Sequence, residues 1–345
     1  MTTKSTFNWG LIGPGRIAQQ FAQATQADFV GQLKAVASRD ITRANQFAQQ
    51  YKVEKVYDDY QALLADPELD AIYIATPHKF HYEQIKMCLQ AKKSVVCEKP
   101  LTVNQVQAEE LFELAKAQNV FLMEAMWTLF LPVYQIAKQW IQNGKIGELK
   151  LVQSSFGFNQ PKSEQDRWLN RDLAGGVLLD MGVYNVTTSD WLINQSNSHP
   201  QNTQLEMPQK IQAMGTVGAT LVDEFTVVNM QYQNNQFAQF NCNFDAKTEN
   251  ALWAYGTKGR IKIENMFWCS NSISFYPDNQ DEATEIIKQP FAVNGFEYEI
   301  AEAEKCIQSG QLQSQVASHA QTRQQLKIMD KIREQLGVTY PFAGE

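Results

Sequence analysis

The chain has 345 residues, of which 44% are hydrophobic, 11% aromatic and 19% charged, and its formal net charge is −7. This length predicts about two domains, and the composition is that of a folded globular protein. The acidic balance argues against general binding to nucleic acid or to anionic membranes, because both need a basic surface. The sequence has no apolar run of about 18 residues that could cross a membrane.

The cysteine spacing and the N-terminal segment favour a cytoplasmic location. The five cysteines are scattered, and no pair has the C-x-x-C spacing of a zinc site. A disulfide framework is not indicated either. Residues 1–8 carry no apolar segment of the kind that a signal peptide needs. We therefore expect a cytoplasmic protein without a bound metal.

The first 128 residues alternate between predicted strands and predicted helices. The strands are short, continuous apolar runs, and the segments between them carry apolar residues at helical spacing, such as Ala44, Phe47 and Tyr51. Continuous apolar strands that alternate with helices predict a parallel sheet covered on both faces, which is an α/β domain. The predicted strands span residues 7–13, 33–38, 53–57, 71–75, 94–97 and 120–123.

After about residue 145 the pattern changes to strands with alternating polarity. Phe240 and Cys242, for example, alternate with Asn241 and Asn243. Such alternation predicts an α+β domain with an open, mostly antiparallel sheet that packs one face on helices. The predicted strands span residues 149–158, 211–217, 224–232, 236–244, 251–256 and 260–264. The predicted helices span 131–143, 173–193, 295–309 and 319–336, and the polar segment 194–209 is predicted to be a surface loop.

A glycine-rich turn follows the first predicted strand and opens the first predicted helix. Its sequence is Gly13-Pro14-Gly15-Arg16-Ile17-Ala18. Gly13 suits a tight turn, Gly15 lets the backbone approach a pyrophosphate, and the N–H groups of the helix start favour phosphate. S-adenosylmethionine enzymes use similar turns, but the alternation that follows suits a dinucleotide better. The context predicts a doubly wound Rossmann domain over residues 1–128, with Arg16 and Ile17 as further cofactor contacts.

The end of the second predicted strand bears on the choice between the two nicotinamide cofactors. An acidic residue there would bind the 2′-hydroxyl of NAD and repel the 2′-phosphate of NADP. Ser38 and Arg39 stand at this point, where they can hydrogen-bond and clamp a phosphate. We therefore predict NADP. The alternative is that Arg39 is a solvated turn residue and that Asp40 binds NAD.

Two further strand ends carry polar residues at the edge where doubly wound sheets bind ligands. Thr76-Pro77-His78 follows the predicted strand 71–75, and His81 lies at the start of the next helix. We predict that this segment lies beside the cofactor, although a histidine here is often structural. Glu98-Lys99-Pro100 follows the strand 94–97. Because Pro100 restricts the local backbone, Lys99 can be aimed into the cleft, with Glu98 beside it.

The predicted helix 173–193 contains an acid and a tyrosine in apolar surroundings. Asp180 and Tyr184 are four residues apart, so they share one helical face. They are candidate catalytic residues. The alternative is a core tyrosine with a satisfied hydroxyl and an acid that favours the helix dipole.

These motifs, taken in order, resemble the glucose–fructose oxidoreductase/inositol dehydrogenase (Gfo/Idh/MocA) family. Within it the chain is most similar to the branch of dimeric dihydrodiol dehydrogenases and NADP-dependent D-xylose dehydrogenases. The resemblance implies that Lys99 and Tyr184 form the proton-transfer pair, with Asp180 beside them. It also implies an open sheet in residues 129–345 that binds substrate on one side and often forms a homo-oligomer. One departure is Leu129, where relatives usually carry arginine.

The sequence therefore predicts an NADP-dependent oxidoreductase that acts on a hydroxyl or carbonyl carbon of a sugar or cyclic trans-diol. Candidate substrate contacts are Trp127, Arg167 and Trp168. Two alternatives stay open. One is an NAD-dependent dehydrogenase of the inositol type, and the other is a non-catalytic protein that senses a nucleotide or sugar on the same fold.

Overall fold

The protein is described here by a computed structural model that covers residues 7–161, 163, 166–197 and 205–342. The chain divides into two compact units. The first contains the residues up to Thr102, together with Val106–Trp127 and Phe291–Thr322. The second contains Val103–Gln105, Thr128–Pro290 and the residues from Arg323 onward.

The first unit is built on a sheet of six parallel strands in the order β3-β2-β1-β4-β5-β6. This order places the carboxyl ends of β1 and β4 side by side at the point where the direction of winding reverses, and ligands bind at such a switch point in doubly wound sheets. The strands are β1 (Asn8–Ile12), β2 (Gln32–Ala37), β3 (Lys55–Tyr57), β4 (Ala71–Ile74), β5 (Ser94–Glu98) and β6 (Leu122–Ala125). The helices are α1 (Arg16–Ala24), α2 (Ile41–Tyr51), α3 (Tyr60–Ala65), α4 (His81–Gln90) and α5 (Gln105–Gln118).

The second unit is built on a sheet of eight strands in the order β14-β13-β12-β11-β7-β10-β9-β8. All neighbours run antiparallel except β7 and β10, which run parallel. The strands are β7 (Leu149–Gly157), β8 (Lys210–Val217), β9 (Asp223–Gln231), β10 (Phe237–Asn243), β11 (Leu252–Gly256), β12 (Gly259–Ile263), β13 (Ser272–Pro277) and β14 (Glu285–Lys288). The helices α6 (Pro132–Gln142) and α7 (Val183–Asn197) belong to this unit, and α7 packs on β7 and β10. The predicted fold class is confirmed.

The last two helices are α8 (Phe296–Gln308) and α9 (His319–Leu336). Helix α8 returns to the first unit, where Glu304 accepts hydrogen bonds from the Trp9 indole at 2.8 Å and from the Gly31 N–H at 2.7 Å. The units are therefore not the two consecutive stretches 1–128 and 129–345 that the sequence predicts. The difference arises from a tertiary contact. The local sequence of residues 291–322 does not indicate that the buried Glu304 carboxylate bonds a residue of the first strand.

The segment around α7 differs from the predicted helix 173–193. Leu178–Gly182 forms a turn of π-helix, and α7 continues to Asn197. The prediction of a loop from residue 194 was wrong for its first four residues, and residues 198–204 lie outside the described part of the chain. Asn194 explains the extension, since its amide donates to the Asp190 carbonyl at 3.0 Å and accepts from the Glu206 N–H at 2.7 Å. Strands β13 and β14 were not predicted.

The face of the second sheet away from α7 carries an aromatic and basic surface. Trp253 lies against Tyr255 and Tyr276, with ring centroids 5.8 and 5.3 Å apart. Arg260 and Lys262 lie over these rings. Among the residues that the structure describes, no helix is long and apolar enough to span a bilayer, and no group of three or more potential ligands could hold a metal ion.

Candidate active site

The turn after β1 requires glycine at its first position. Gly13 has φ of +90°, and a Cβ there would lie 2.6 Å from the Thr76 methyl group. Its N–H donates to the Ala37 carbonyl at 3.2 Å, and its own carbonyl accepts from the Gly15 N–H at 2.8 Å. Gly13 therefore fixes the turn against the ends of β2 and β4, as a tight dinucleotide turn needs.

Gly15 plays a different part, because nothing in the chain crowds it. A Cβ on this residue would come no closer than 3.9 Å to another atom, and its φ of −97° is open to any residue. It is the N-cap of α1, and among the described residues no side chain caps the start of that helix. An uncapped helix start beside a glycine is the arrangement that phosphate groups bind, so these residues fit a dinucleotide. Ile17 is half-buried and Arg16 is exposed.

The end of β2 gives each of its three polar residues a distinct position. Ser38 is buried, and its hydroxyl accepts from the Asp40 N–H at 3.2 Å. The exposed guanidinium of Arg39 lies 5.0 Å from the centre of the Phe80 ring. The Asp40 carboxylate caps α2, since it accepts from the N–H groups of Thr42 at 3.0 Å and Arg43 at 3.2 Å.

The segment after β4 is tied to its surroundings by side chains. The Thr76 hydroxyl donates to Gln84 at 2.6 Å, and Pro77 precedes a 3-10 turn (His78–Phe80). His78 is buried with its ring 5.8 Å from that of His81. His81 is fully buried, and its two ring nitrogens lie 2.8 Å from the Thr76 carbonyl and 2.9 Å from the Pro100 carbonyl.

Lys99 follows β5, one residue after a buried carboxylate. Glu98 accepts a hydrogen bond from the Tyr73 hydroxyl and a longer one, 3.3 Å, from the Lys99 N–H. Burial, aided by the negative charge of Glu98, raises the pKa of Tyr73 well above its usual value. Burial and the same charge raise the pKa of Glu299, whose carboxylate oxygens have no hydrogen-bond partner in the described structure. Glu98 thus belongs to a buried polar cluster that supports the turn carrying Lys99.

In the second unit, a buried aspartate sets the start of the helix that carries the predicted acid and tyrosine. Asp223 accepts from the Leu178 N–H at 2.7 Å and from the Thr226 hydroxyl at 3.0 Å. Gly176 has φ of +117°, and a Cβ there would lie 2.3 Å from the Asp223 carboxylate. The Gly175-Gly176 pair therefore allows the backbone to approach this cap closely.

Asp180 is held by an ion pair. The Arg167 guanidinium donates to its carboxylate at 2.9 Å, with side-chain exposures of 38% for Arg167 and 20% for Asp180. Arg167 comes from a 3-10 turn (Arg167–Leu169) thirteen residues upstream. The structure thus brings together two residues that the sequence predicted separately, one as catalytic and one as a substrate contact.

Tyr184 lies on the first turn of α7 with 7% of its surface exposed. Its ring centroid is 5.9 Å from that of Phe156, which in turn stacks on Trp268 at 3.5 Å. Phe158 packs edge-on against Trp268, and both are half-buried. A partly exposed aromatic surface therefore adjoins the tyrosine, and sequence analysis missed it because β7 and the Trp268 turn are more than 100 residues apart.

The other predicted substrate contacts have mixed surroundings. Trp127 packs on Phe296 with ring centroids 4.5 Å apart. The indole nitrogen of Trp168 is buried without a hydrogen-bond partner in the described structure, while its carbonyl accepts from the Gly176 N–H at 2.7 Å. Leu129 is buried in the core, which suits leucine at this position.

Comparison with known proteins follows the same division of the chain. The NAD-binding Rossmann model of the Gfo/Idh/MocA oxidoreductase family matches residues 7–126, and the model of the family's C-terminal domain matches residues 134–262. Trans-1,2-dihydrobenzene-1,2-diol dehydrogenase of Mus musculus is 31% identical over 96% of this chain and 98% of its own. The enzyme of the same name from Xenopus tropicalis is 33% identical over 96% and 99%. The chain belongs to the Gfo/Idh/MocA family.

Comparison with solved structures agrees with this assignment. A 3-ketoreductase from Actinomadura kijaniata, in complex with NADP and TDP-benzene, is 26% identical with a TM-score of 0.78, over 95% of this chain and 97% of its own. Aldose–aldose oxidoreductase from Caulobacter crescentus has a TM-score of 0.83 at 19% identity, over 95% and 97%, which shows the shared fold alone. The predicted family and the prediction of an NAD(P)-dependent oxidoreductase are confirmed.

Membership of the Gfo/Idh/MocA family does not assign the individual site residues. Lys99, Asp180 and Tyr184 stay predictions as catalytic residues, as do the contacts to the cofactor and the substrate. Two supporting residues, Asp223 and His81, have structural contacts that sequence analysis missed. Their signals are weak in one sequence, because an aspartate in a strand and a histidine at a helix start are both common.

Proposed function

We propose that the chain is an NADP-dependent oxidoreductase that transfers a hydride between the nicotinamide and a hydroxyl or carbonyl carbon of a sugar or cyclic trans-diol. The observation that carries the proposal is that this chain has both a candidate lysine and a candidate tyrosine for proton transfer. A lysine follows β5 at the ligand-binding edge of the Rossmann sheet, and a nearly buried tyrosine, Tyr184, begins α7 beside an aromatic surface. The relatives named as a dihydrodiol dehydrogenase and a 3-ketoreductase support this substrate class.

The end of β2 supports NADP rather than NAD. Asp40 is the acid that would bind a ribose hydroxyl, but its carboxylate is occupied by the start of α2. Arg39 is exposed and free of ion pairs in the described structure, and its guanidinium is suited to a 2′-phosphate. The 3-ketoreductase from Actinomadura kijaniata was solved with NADP, which agrees with this choice.

Tyr184 is proposed as the acid–base group. When bound, the oxidised nicotinamide accepts the hydride that leaves the carbinol carbon. As the C–H bond breaks, the hydroxyl proton passes to the Tyr184 oxygen, and the substrate carbon becomes a carbonyl; reduction reverses both transfers. An ordinary tyrosine has a pKa of about 10, too high for an efficient base at neutral pH. The ammonium group of Lys99 would stabilise the tyrosinate and lower that pKa.

Asp180 is proposed to orient rather than to transfer protons. Its ion pair with Arg167 fixes the direction of the carboxylate. A fixed carboxylate four residues before Tyr184 can accept a hydrogen bond from a second substrate hydroxyl. The aromatic surface of Phe158 and Trp268 would then pack on the ring of the substrate. A vicinal diol on a ring presents both features at once.

The open face of the second sheet is proposed to form a homo-oligomer. Trp253, Tyr255 and Tyr276 are large, partly exposed aromatic side chains on the sheet face away from α7, and partly exposed aromatic faces commonly form subunit interfaces. Sedimentation equilibrium of the wild type and of the Tyr276→Asp variant tests this. We expect a dimer or larger species that dissociates in the variant, and a monomeric wild type would contradict it.

The proposed reaction is tested by single-turnover absorbance of the reduced nicotinamide across a panel of aldoses, polyols and trans-diols, with NADP and NAD in parallel. We expect a substrate-dependent signal with NADP and a fall in kcat/KM of about 100-fold or more in Tyr184→Phe. The Kd for NADP should change less than about threefold. Tyr134→Phe is the control, because it also removes a buried tyrosine hydroxyl in the second unit, one that bonds the Phe267 carbonyl at 3.1 Å.

Three results would contradict parts of the proposal. The absence of any signal across the panel would favour a sensing protein on the same fold. A clear preference for NAD would overturn the assignment of Arg39. Equal loss of activity in Tyr184→Phe and Tyr134→Phe would show that the effect is structural.

A further inference from the structure

The two ring nitrogens of His81 face backbone carbonyls that follow two different strands. Nε2 lies 2.8 Å from the Thr76 carbonyl, which follows β4. Nδ1 lies 2.9 Å from the Pro100 carbonyl, in the turn after β5. The ring is fully buried, and so is its contact with the Pro100 carbonyl.

These two contacts have a consequence for the charge of the ring. A carbonyl oxygen is only an acceptor, and a neutral imidazole has a single N–H. A neutral ring would therefore place one nitrogen lone pair against a carbonyl lone pair at hydrogen-bond distance, in a buried place where an unmet acceptor is costly. An imidazolium has two N–H groups and satisfies both carbonyls.

We propose that His81 is a positioning residue that, as an imidazolium, ties the Thr76 carbonyl to the Pro100 carbonyl. The inference rests on the proposed function, because Pro100 directly follows Lys99. The link holds the loop predicted to lie beside the cofactor at a constant distance from the turn that carries the lysine. It would act on catalysis through Lys99 without contacting substrate.

The charged and titratable groups on the surrounding elements act in both directions. The acids on the neighbouring strands are the buried Glu98 on β5 and the buried Glu124 on β6, and Glu124 accepts from the Leu101 N–H at 2.9 Å, one residue after Pro100. Glu83 lies in the first turn of α4, and negative charge on these acids would favour a cation. A positive charge on Lys99, the N-terminal dipole of α4 and the burial of the ring all oppose a cation, and the ring of His78 lies 5.8 Å away. The proposal requires that two charge-assisted hydrogen bonds to carbonyls outweigh these opposing effects.

The direct test is long-range proton–nitrogen NMR on protein labelled with ¹⁵N-histidine, at pH 8, where an ordinary imidazole is almost entirely neutral. The sequence has four histidines, so single His→Gln variants assign every signal. We expect both nitrogens of His81 to carry protons. A signal of one protonated and one bare nitrogen would overturn the proposal. If His81→Gln does not fold, the variants of the other three histidines assign the His81 signal by elimination.

The second readout is kinetic. We expect His81→Gln to lower kcat at least tenfold, with a smaller change in substrate KM, and to raise amide exchange at Thr76–His78 and at Lys99–Leu101 together. The control is His319→Gln, because His319 in the same unit bonds one carbonyl, that of Leu122, at 2.8 Å. An unchanged kcat in His81→Gln would overturn the positioning role. The NMR result needs no turnover, so it distinguishes failure of this inference from failure of the proposed reaction.

Discussion

The two units begin their key helices in opposite ways. In the first unit, α1 starts at Gly15, and no side chain in the described part of the protein caps its first N–H groups. In the second, the helix leading to Tyr184 starts after Gly176, and the buried Asp223 accepts from the Leu178 N–H. The first start leaves backbone donors for a ligand, whereas the second uses them within the fold. A glycine-rich turn before a helix therefore predicts a phosphate site only where no internal carboxylate takes the N–H groups.

The largest effect on stability is expected from Gly176→Ala, because the substitution disturbs the helix start that Asp223 caps. The substitution places a side chain at φ of +117° and a Cβ 2.3 Å from the Asp223 carboxylate. Strain and overlap together should lower the free energy of unfolding by about 3 kcal/mol or more, measured by urea denaturation. Gly337→Ala is the control, since its φ is +70° but a Cβ there meets nothing within 4 Å. Equal losses in the two variants would show that Asp223 does not crowd the turn.

Asp190 is a second buried aspartate of the same unit, and it should make the stability depend on pH. Burial raises the pKa of Asp190 to about 7, even though Gln324 and Tyr232 donate hydrogen bonds that act in the opposite direction. The folded protein therefore keeps a proton that the unfolded chain loses above about pH 4. Its contribution to stability is complete below pH 4 and is lost as the pH rises toward 7.

Asp190→Asn should remove this dependence. We expect the wild type to lose on the order of 2 kcal/mol of unfolding free energy between pH 5 and pH 8 relative to the variant, by urea denaturation at each pH. The Asp172→Asn variant is the control, because Asp172 is an exposed acid in the same unit. Parallel pH profiles for wild type and Asp190→Asn would show that Asp190 is ionised throughout this range.

Features that depend on local sequence could be predicted, whereas features that depend on distant contacts could not. The Rossmann strands, the turn at Gly13 and the lysine after β5 were all predicted, because each depends on a short apolar run and the residues that end it. The contacts of Asp223 and Glu304 were not, since each carboxylate accepts from a backbone N–H at least 45 residues away. Strand β14 was missed for a related reason, because a four-residue edge strand has too little pattern of its own.

At the uncapped start of α1, Gly15→Ala should lower the affinity for NADP without lowering the stability of the fold. A Cβ at this position meets no atom of the chain closer than 3.9 Å, so the fold should be unaffected. The methyl group would occupy the space that a pyrophosphate needs, and we expect NADP affinity to fall about tenfold, which is roughly 1.4 kcal/mol. Fluorescence titration measures the affinity and thermal unfolding without cofactor measures the stability. A loss of stability with unchanged affinity would assign Gly15 to the fold instead.

The smallest effect concerns α2, whose capped start lies at the same sheet edge as the uncapped α1. Asp40 bonds the N–H groups of Thr42 and Arg43, so Asp40→Ala should cost about 1 kcal/mol of stability and Asp40→Asn much less. Because the carboxylate is engaged with α2, neither variant should change the ratio of kcat/KM for NADP to that for NAD by more than about twofold.

Arg39→Gln should lower the ratio of kcat/KM for NADP to that for NAD about tenfold, since it removes a charged partner of the 2′-phosphate. Lys52→Gln, at the far end of α2, controls for the loss of one positive charge. If Asp40→Asn instead lowered kcat/KM for NAD, the Asp40 carboxylate would be a ribose ligand. A capped helix start would then also bind the cofactor, which would contradict the distinction between capped and uncapped starts.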